Sequence, residues 1–269
     1  MDVSFRTGRP LEGDPWCCDE HDDIESALDA LDAQLDADDL AALVFAQPCP
    51  EGLSLPRLWR RVLGHLTQRD FDRPLEVWAP SATVIDHLVR YLPVDARPFT
   101  QHQRPGGLVL HATVGDLANA NADAIVNASN TRLVLGGGVS GALAERFGDE
   151  LQSGMRAHGT IADGQTVVTS CPTGSGCKYV LHCASAEGSE ATIRACIDSV
   201  LERAVQLECS TVITPALGTG TGMLPVSTFA RLVWKATRSI EASLRLETWC
   251  WTQSDFKELQ ATWTQLDNP

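Results

Sequence analysis

"VLGGGVSGAL", residues 134–143, holds three consecutive glycines, and "PALGTGTGMLP", residues 215–225, holds three more in alternation. Glycine inside a regular element costs roughly 0.5–1 kcal/mol against alanine. Two such clusters therefore need a cause in the folded chain. One cause is turn geometry at strand ends, where glycine supplies positive φ. The other is a bound group lying against the backbone, where a Cβ would push it away. A glycine-rich loop that opens a helix also presents unpaired N–H groups and the positive end of the helix dipole, which suits an anion such as phosphate.

Working outward, each cluster lies between a β-branched apolar run and a helical pattern. "DAIVNASN" (123–130) precedes the first and "STVITPAL" (210–217) the second, while "SGALAERFGDELQSGMRAHG" (140–159) and "PVSTFARLVWKATRSI" (225–240) follow them. Further strands are predicted at "GGLVLHATVGDL" (106–117), "QTVVTSC" (165–171), "KYVLHCAS" (178–185) and "LETWCW" (246–251), with helices over 189–208 and 254–266. Short apolar strands between helices predict an α/β fold with a mixed or parallel sheet covered on both faces. Ligands bind such sheets at the carboxyl ends of the strands. Neither cluster closes with Gly-Lys-Ser/Thr, so neither is a P-loop. The first follows the second strand, so it is no dinucleotide fingerprint.

Residues 1–100 read as a smaller α/β unit: helix 24–39, strand 41–47, helix 55–68, strand 75–80, helix 82–92. That is the element order of 193–265. At an offset of 169, Ile24 meets Ile193, Asp29 meets Asp198, and Leu55-Pro56 meets Leu224-Pro225, four identities in 33 positions. Two further residues of slip bring "LEVW" (75–78) onto "LETW" (246–249). The unit is either a degenerate half-copy of the later fold or an unrelated extension. It carries "PCPEG" (48–52) where the later segment has its glycines, so it should not take the same ligand. "RPFTQHQRPGG" (97–107) reads as a linker to a second domain, 107–269.

The net charge of −14 disfavours a nucleic-acid backbone as partner. Residues 12–40 carry twelve of the 35 acids and no Lys or Arg. They form either a solvated, partly helical face or a surface for a basic partner. No apolar run is long enough to span a membrane, and the first residues lack the order of a signal peptide, so a cytoplasmic protein is expected. Nine cysteines without secretory context are expected reduced. Cys171, Cys177 and Cys183 fall on two strands and their connection rather than on a metal knuckle. Cys17-Cys18 with His21 is a weak pattern for a metal, and no metal or cofactor is expected.

The ordered set "VGDL", "ADAIVNASN", "LGGGVSGAL", "KYVLHCAS" and "TPALGTGTG" resembles the macrodomain family, which binds ADP-ribose. The resemblance implies a three-layer α/β/α fold over about 107–265 and makes the glycine clusters two walls of a diphosphate cradle. Asp116 would accept from the adenine amino group, with the Leu117 N–H beside it; without the family, Asp116 is a turn residue. Gly136, Gly137, Gly138, Val139 and Ser140 would line one wall, and Gly218, Thr219, Gly220, Thr221 and Gly222 the other. Asn130 would hold the distal ribose and is the one catalytic candidate, while Asn127 would support the loop from beneath. Trp251 is either an aromatic against adenine or a core residue. Many hydrolytic relatives carry Val-Asp-Gly where this chain has Val139-Ser140-Gly141. Some members with a small residue there still hydrolyse ADP-ribose from acidic side chains. The expected partner is thus ADP-ribose or an ADP-ribosylated protein, met by a mono-ADP-ribosyl hydrolase, by a non-catalytic reader or sensor, or by a scaffold.

Overall fold

The computed structural model describes residues 3–8, 15–18, 23–37, 40, 42–45, 54–69, 71, 73–186 and 188–268. The chain divides into two units, Met1–Arg97 and Pro98–Pro269. Among the described residues, no helix is long and apolar enough to cross a membrane, and no group of three His, Cys, Asp or Glu could hold a metal. Cys17 and Cys18 are buried, and His21 lies outside the described residues, as does "PCPEG".

The first unit runs β1 (Val3–Thr7), β2 (Trp16–Cys17), α1 (Ile24–Asp36), β3 (Ala42–Val44), α2 (Leu55–Gln68), β4 (Leu75–Ala79) and α3 (Ala82–Arg90). Its sheet has the order β1-β4-β3-β2, all parallel. Trp16, Phe45 and Trp59 meet edge-to-face in its core, at 5.6 and 5.2 Å between ring centres. Each indole N–H finds a carbonyl, Ala27 O for Trp16 and Leu88 O for Trp59, both at 2.7 Å. The acids of α1 are partly matched within this unit. Glu25 pairs with Arg61 and Asp32 with His65 and Arg69, while Asp36 also pairs with Arg69.

The second unit runs β5 (Phe99–Gln103), β6 (Val109–Val114), β7 (Ala122–Ser129), α4 (Gly138–Arg156), β8 (Thr166–Ser170), β9 (Cys177–Ala184), α5 (Glu190–Gln206), β10 (Thr211–Thr214), α6 (Val226–Ala236), β11 (Arg245–Cys250) and α7 (Gln253–Asp267). Its sheet has the order β5-β6-β11-β10-β7-β9-β8. The five central strands are parallel and both edges antiparallel. Neighbouring residues of β10 divide between two helical layers. Ile213 packs with Leu143, Phe147 and Leu151 of α4, whereas Thr214 faces Ile197 and Val200 of α5 and Phe229 and Val233 of α6. The sandwich α/β/α follows from this alternation.

Three strands differ from the sequence expectation. The supposed linker 97–107 contains β5, which pairs antiparallel with β6 from Phe99↔Thr113 to Gln103↔Val109. β1 and β2, like β5, are edge strands; β1 and β5 carry largely exposed residues and no apolar alternation, and β2 is only two residues long. The helix after the first glycine cluster is interrupted at Gly148, whose φ of 64° and ψ of −155° break the ladder.

The strand order β1-β4-β3-β2 reproduces β6-β11-β10-β7 in sequence order and direction. The register agrees too: Ala42 opposes Glu76 as Thr211 opposes Arg245. The offset of 169 therefore persists through the second strand of the pair. The two-residue slip needed to match "LEVW" with "LETW" is absent from the register.

A chain of buried side chains ties β8, β9, β7 and the start of α4 together. Ser140 Oγ donates to Asn127 Oδ1 (2.8 Å), Asn127 Nδ2 donates to His182 Nδ1 (3.1 Å), and His182 Nε2 donates to Thr169 Oγ1 (2.8 Å). Burial, aided by the charge of His158, pushes the His182 imidazole down to about 3. In the unfolded chain it titrates near about 6.5, so the unfolded state binds the extra proton between these values. The stabilisation is complete above the unfolded pKa and declines as pH falls toward 3, by about 1.4 kcal/mol per pH unit. Urea unfolding of the wild type and His182→Gln at stepped pH should show that extra slope in the wild type alone.

Candidate functional site

The expected site residues, apart from Asn127 within β7, follow the carboxyl ends of parallel strands: Asp116 and Leu117 after β6, residues 130–140 after β7, 218–222 after β10, and Trp251 after β11. β6, β11, β10 and β7 are consecutive in the sheet, so these loops share one end of it. Exposed apolar side chains mark the same end, with Val134, Met223 and Trp251 each more than half exposed.

Asp116 heads a 3-10 turn, Leu117–Asn119. One carboxylate oxygen accepts from Ala118 N (3.1 Å) and the other from Asn119 Nδ2 (2.8 Å). The turn reading of Asp116 is thus correct as far as it goes. A carboxylate offers about four acceptor directions, so each oxygen keeps one for a further donor. Arg146 of α4 holds this turn from below, donating to Ala118 O (2.5 Å) and Ala120 O (2.7 Å). Nothing in a helical "AERF" marked Arg146 in the sequence.

In the first loop, Asn130 folds the backbone that follows it. Its Oδ1 accepts from Arg132 N (3.1 Å) and Val134 N (3.3 Å), and its Nδ2 donates to Val134 O (2.8 Å). Gln152 of α4 clamps the next residues, accepting from Leu135 N (2.8 Å) and donating to Leu133 O (2.9 Å). Gly136, Gly137 and Gly138 are exposed, and no heavy atom lies within 4 Å of where their Cβ atoms would stand. Gly137 caps α4 without a side chain, whereas α5 and α7 are capped by Ser189 and Thr252. The first N–H groups of α4 thus have no side-chain acceptor at the cap, beside open space.

The second loop is built differently. A Cβ on Gly218 would meet the Ile193 side chain at 2.7 Å, and one on Gly222 would meet Gly188 Cα at 2.6 Å. These glycines exist for close packing inside the protein, and Gly188 is a partner the sequence did not reveal. Gly220 alone faces open space. Thr219 Oγ1 donates to Ala216 O (2.8 Å), and Thr221 is exposed. The start of α6 is not free for an anion, because Glu258 of α7 accepts from Ser227 N (2.8 Å).

The structure sorts four of these residues by where their side chains go. Ser140 is only 5% exposed and its hydroxyl points to Asn127 and Ala128 O, so its side chain belongs to the support, not the wall. Asn127, fully buried, is the support from beneath that was expected of it. Asn130 uses its amide oxygen twice on its own loop, which leaves one amide hydrogen for any other group. Trp251 is 55% exposed and is no core residue; the buried indole of this strand is Trp249, at 6%. Val139 is half-buried at the first turn of α4.

The sequence profile of the macro domain matches residues 126–233. A macro domain-containing protein of Chlorobaculum tepidum is 29% identical over 150 residues, 52% of this chain and 85% of that protein. An uncharacterized Mycobacterium tuberculosis protein is 36% identical over 127 residues, 46% of this chain, and the match spans about a third (35%) of its length. The chain belongs to the macro domain family. The Oceanobacillus iheyensis macrodomain solved with ADP shares the fold over 64% of this chain and 97% of its own, at TM-score 0.58 and 20% identity. A Trypanosoma brucei macrodomain in complex with ADP-ribose covers 56% of this chain and 68% of its own, at 0.51 and 23%.

Two substitutions separate packing glycines from open ones. Gly222→Ala should lose about 1–3 kcal/mol, since backbone must move to admit the methyl group, while Gly220→Ala should melt like the wild type. Ser140→Asp should also destabilise, by about 1–3 kcal/mol, because a carboxylate would face the oxygens that the hydroxyl now serves. Thermal melts of the three variants check all of this.

Proposed function

We propose that the macro domain of this chain binds ADP-ribose, free or attached to a protein, and acts as a reader without turnover. The observation that carries the reading is the open space before Gly136–Gly138 together with the start of α4, which no side chain caps. A diphosphate laid there would accept from the first N–H groups of the helix. Gly220, open from the opposite loop, would let the second phosphate approach. Asp116 would take the adenine amino group on an oxygen direction it has not used, and Trp251 would lie against the base. Solved relatives hold ADP and ADP-ribose, which agrees with this assignment.

The reader form is favoured over the hydrolase by the side chains at hand. Neither 130–141 nor 215–225 contains a carboxylate or histidine. General-base assistance is worth about 10²–10⁴-fold, and neither glycine loop brings a group that could supply it. Asn130 holds its own loop, so Asn130→Ala is expected to weaken binding as well as any reaction.

Calorimetry with ADP-ribose and AMP tests the binding, with ADP-ribose expected to bind more tightly because AMP lacks the second phosphate and ribose. Asp116→Ala should weaken both by the same factor, about tenfold to a hundredfold, since both present adenine. Unequal losses would move adenine away from Asp116. A protein labelled on Glu or Asp should keep its ADP-ribose over hours with excess wild type; release above the blank would establish the hydrolase instead.

A further inference from the structure

The opposite end of the sheet carries a pair of thiols that the ligand site does not use. Cys171 follows β8 and Cys177 opens β9, and the turn between them folds back through Gly174 and Gly176, both at positive φ. Their sulfurs are 2.8 Å apart, close to the about 2.05 Å of a disulfide bond. Of the eight described cysteines these two alone are partly exposed, the other six being buried. A hollow of about 480 Å³, lined by Asn121, Asp123, Gly176, Cys177, Lys178 and Thr211, gives small molecules access to Cys177.

The turn is also wired to the far end of the sheet. Arg146 donates to Ser175 O, between the two cysteines, and to Ala118 O and Ala120 O, which follow Asp116. Gly176 O accepts from Ala122 N (3.2 Å), and a Cβ on Gly176 would collide with the Asn121 side chain. A change in the turn therefore cannot leave 118–122 untouched. We propose that Cys171 and Cys177 form a peroxide-responsive dithiol, and that its closure is transmitted through Arg146 to the turn carrying Asp116.

The two thiols have different roles. The hydrogen bond from the Cys171 thiol, together with the Arg146 charge, lowers the Cys177 pKa, while the same bond and burial raise that of Cys171. Cys177 as thiolate attacks one peroxide oxygen; the O–O bond breaks, hydroxide leaves and takes a proton, and Cys177 becomes a sulfenic acid. The Cys171 sulfur then attacks the Cys177 sulfur. The S–O bond breaks, the S–S bond forms, and the Cys171 proton leaves with the hydroxide as water. Two thiols are oxidised and one peroxide is reduced to two waters.

Trypsin releases residues 157–178 as one peptide that contains these two cysteines and no other. After the reduced full chain is treated with hydrogen peroxide, this peptide should be two hydrogens lighter and take up no alkylating agent. Dithiothreitol should restore two alkylation sites. Cys171→Ser should instead leave a sulfenic acid on Cys177 that a dione reagent traps. A wild-type peptide that still takes two alkyl groups, or carries sulfinic acid, overturns the dithiol. Hydrogen exchange at 116–122 should shift between the reduced and oxidised chains; identical exchange with the disulfide formed overturns the transmission.

Discussion

The first glycine loop and the start of α4 depend on a buried amide. Asn127 accepts from Ser140 on one side and donates to His182 on the other, and only a side chain with both functions can join those two. The chain of donors has one direction, from Ser140 to Thr169, and it fixes His182 as the tautomer protonated on Nε2. Each link is short and none is charged, which suits a site where an unpaired polar group would cost about 1–3 kcal/mol. Through it the start of α4 is fastened to β7, and β7 to β9 and β8. The position of Gly136–Gly138 in space follows from that fastening rather than from the glycines themselves.

The glycines then divide into two kinds. Gly218, Gly222 and Gly188 are small because other protein atoms press against them. Gly136, Gly137, Gly138 and Gly220 are small with nothing against them at all. Packing accounts for the first kind, with positive φ adding to it at Gly188 and Gly218, and positive φ also calls for glycine at Gly138; neither cause reaches Gly136, Gly137 and Gly220, the positions the proposed diphosphate would use. The second loop is therefore less a mirror image of the first than a brace. Its own helix start is already occupied by Glu258, so under the proposed reading an anion would rest mainly on α4.

The central strands and every main helix could be read from the chain, because apolar periodicity records burial and both flanks of each element were marked. The edge strand β8 could be read too, but the edge strands β1, β2 and β5 could not. "FTQHQ" in β5 alternates exposed and half-buried residues and carries no apolar signal. The site was legible as a set of motifs but not as roles. Ser140 stands in a ligand motif and turns inward, since its hydroxyl fits the Asn127 amide that an acid at that place would confront. Asn130 was visible as an asparagine at a strand end, yet its three hydrogen bonds close a loop that no periodicity predicts. Arg146 and Gln152 were illegible altogether. They sit in an ordinary helical stretch, and their importance comes from carbonyls brought to them by the fold.

The first unit shows what the parallel core does by itself. It has the same four strands in the same order, but β2 leads to α1 through residues 18–23, where β7 leads to α5 through residues 130–189. Those sixty residues of the second unit contain α4, β8 and β9. They bring the uncapped helix start, the Arg146 and Gln152 clamps, and the His182–Thr169 end of the buried chain. Without them a sheet of this order can still bury Trp16, Phe45 and Trp59 and pair its helices. Among its described residues it has no counterpart of α4, β8 or β9. Under the proposed reading, recognition of a diphosphate would thus belong to the insertion between β7 and α5, and the four-stranded core is the frame that carries it.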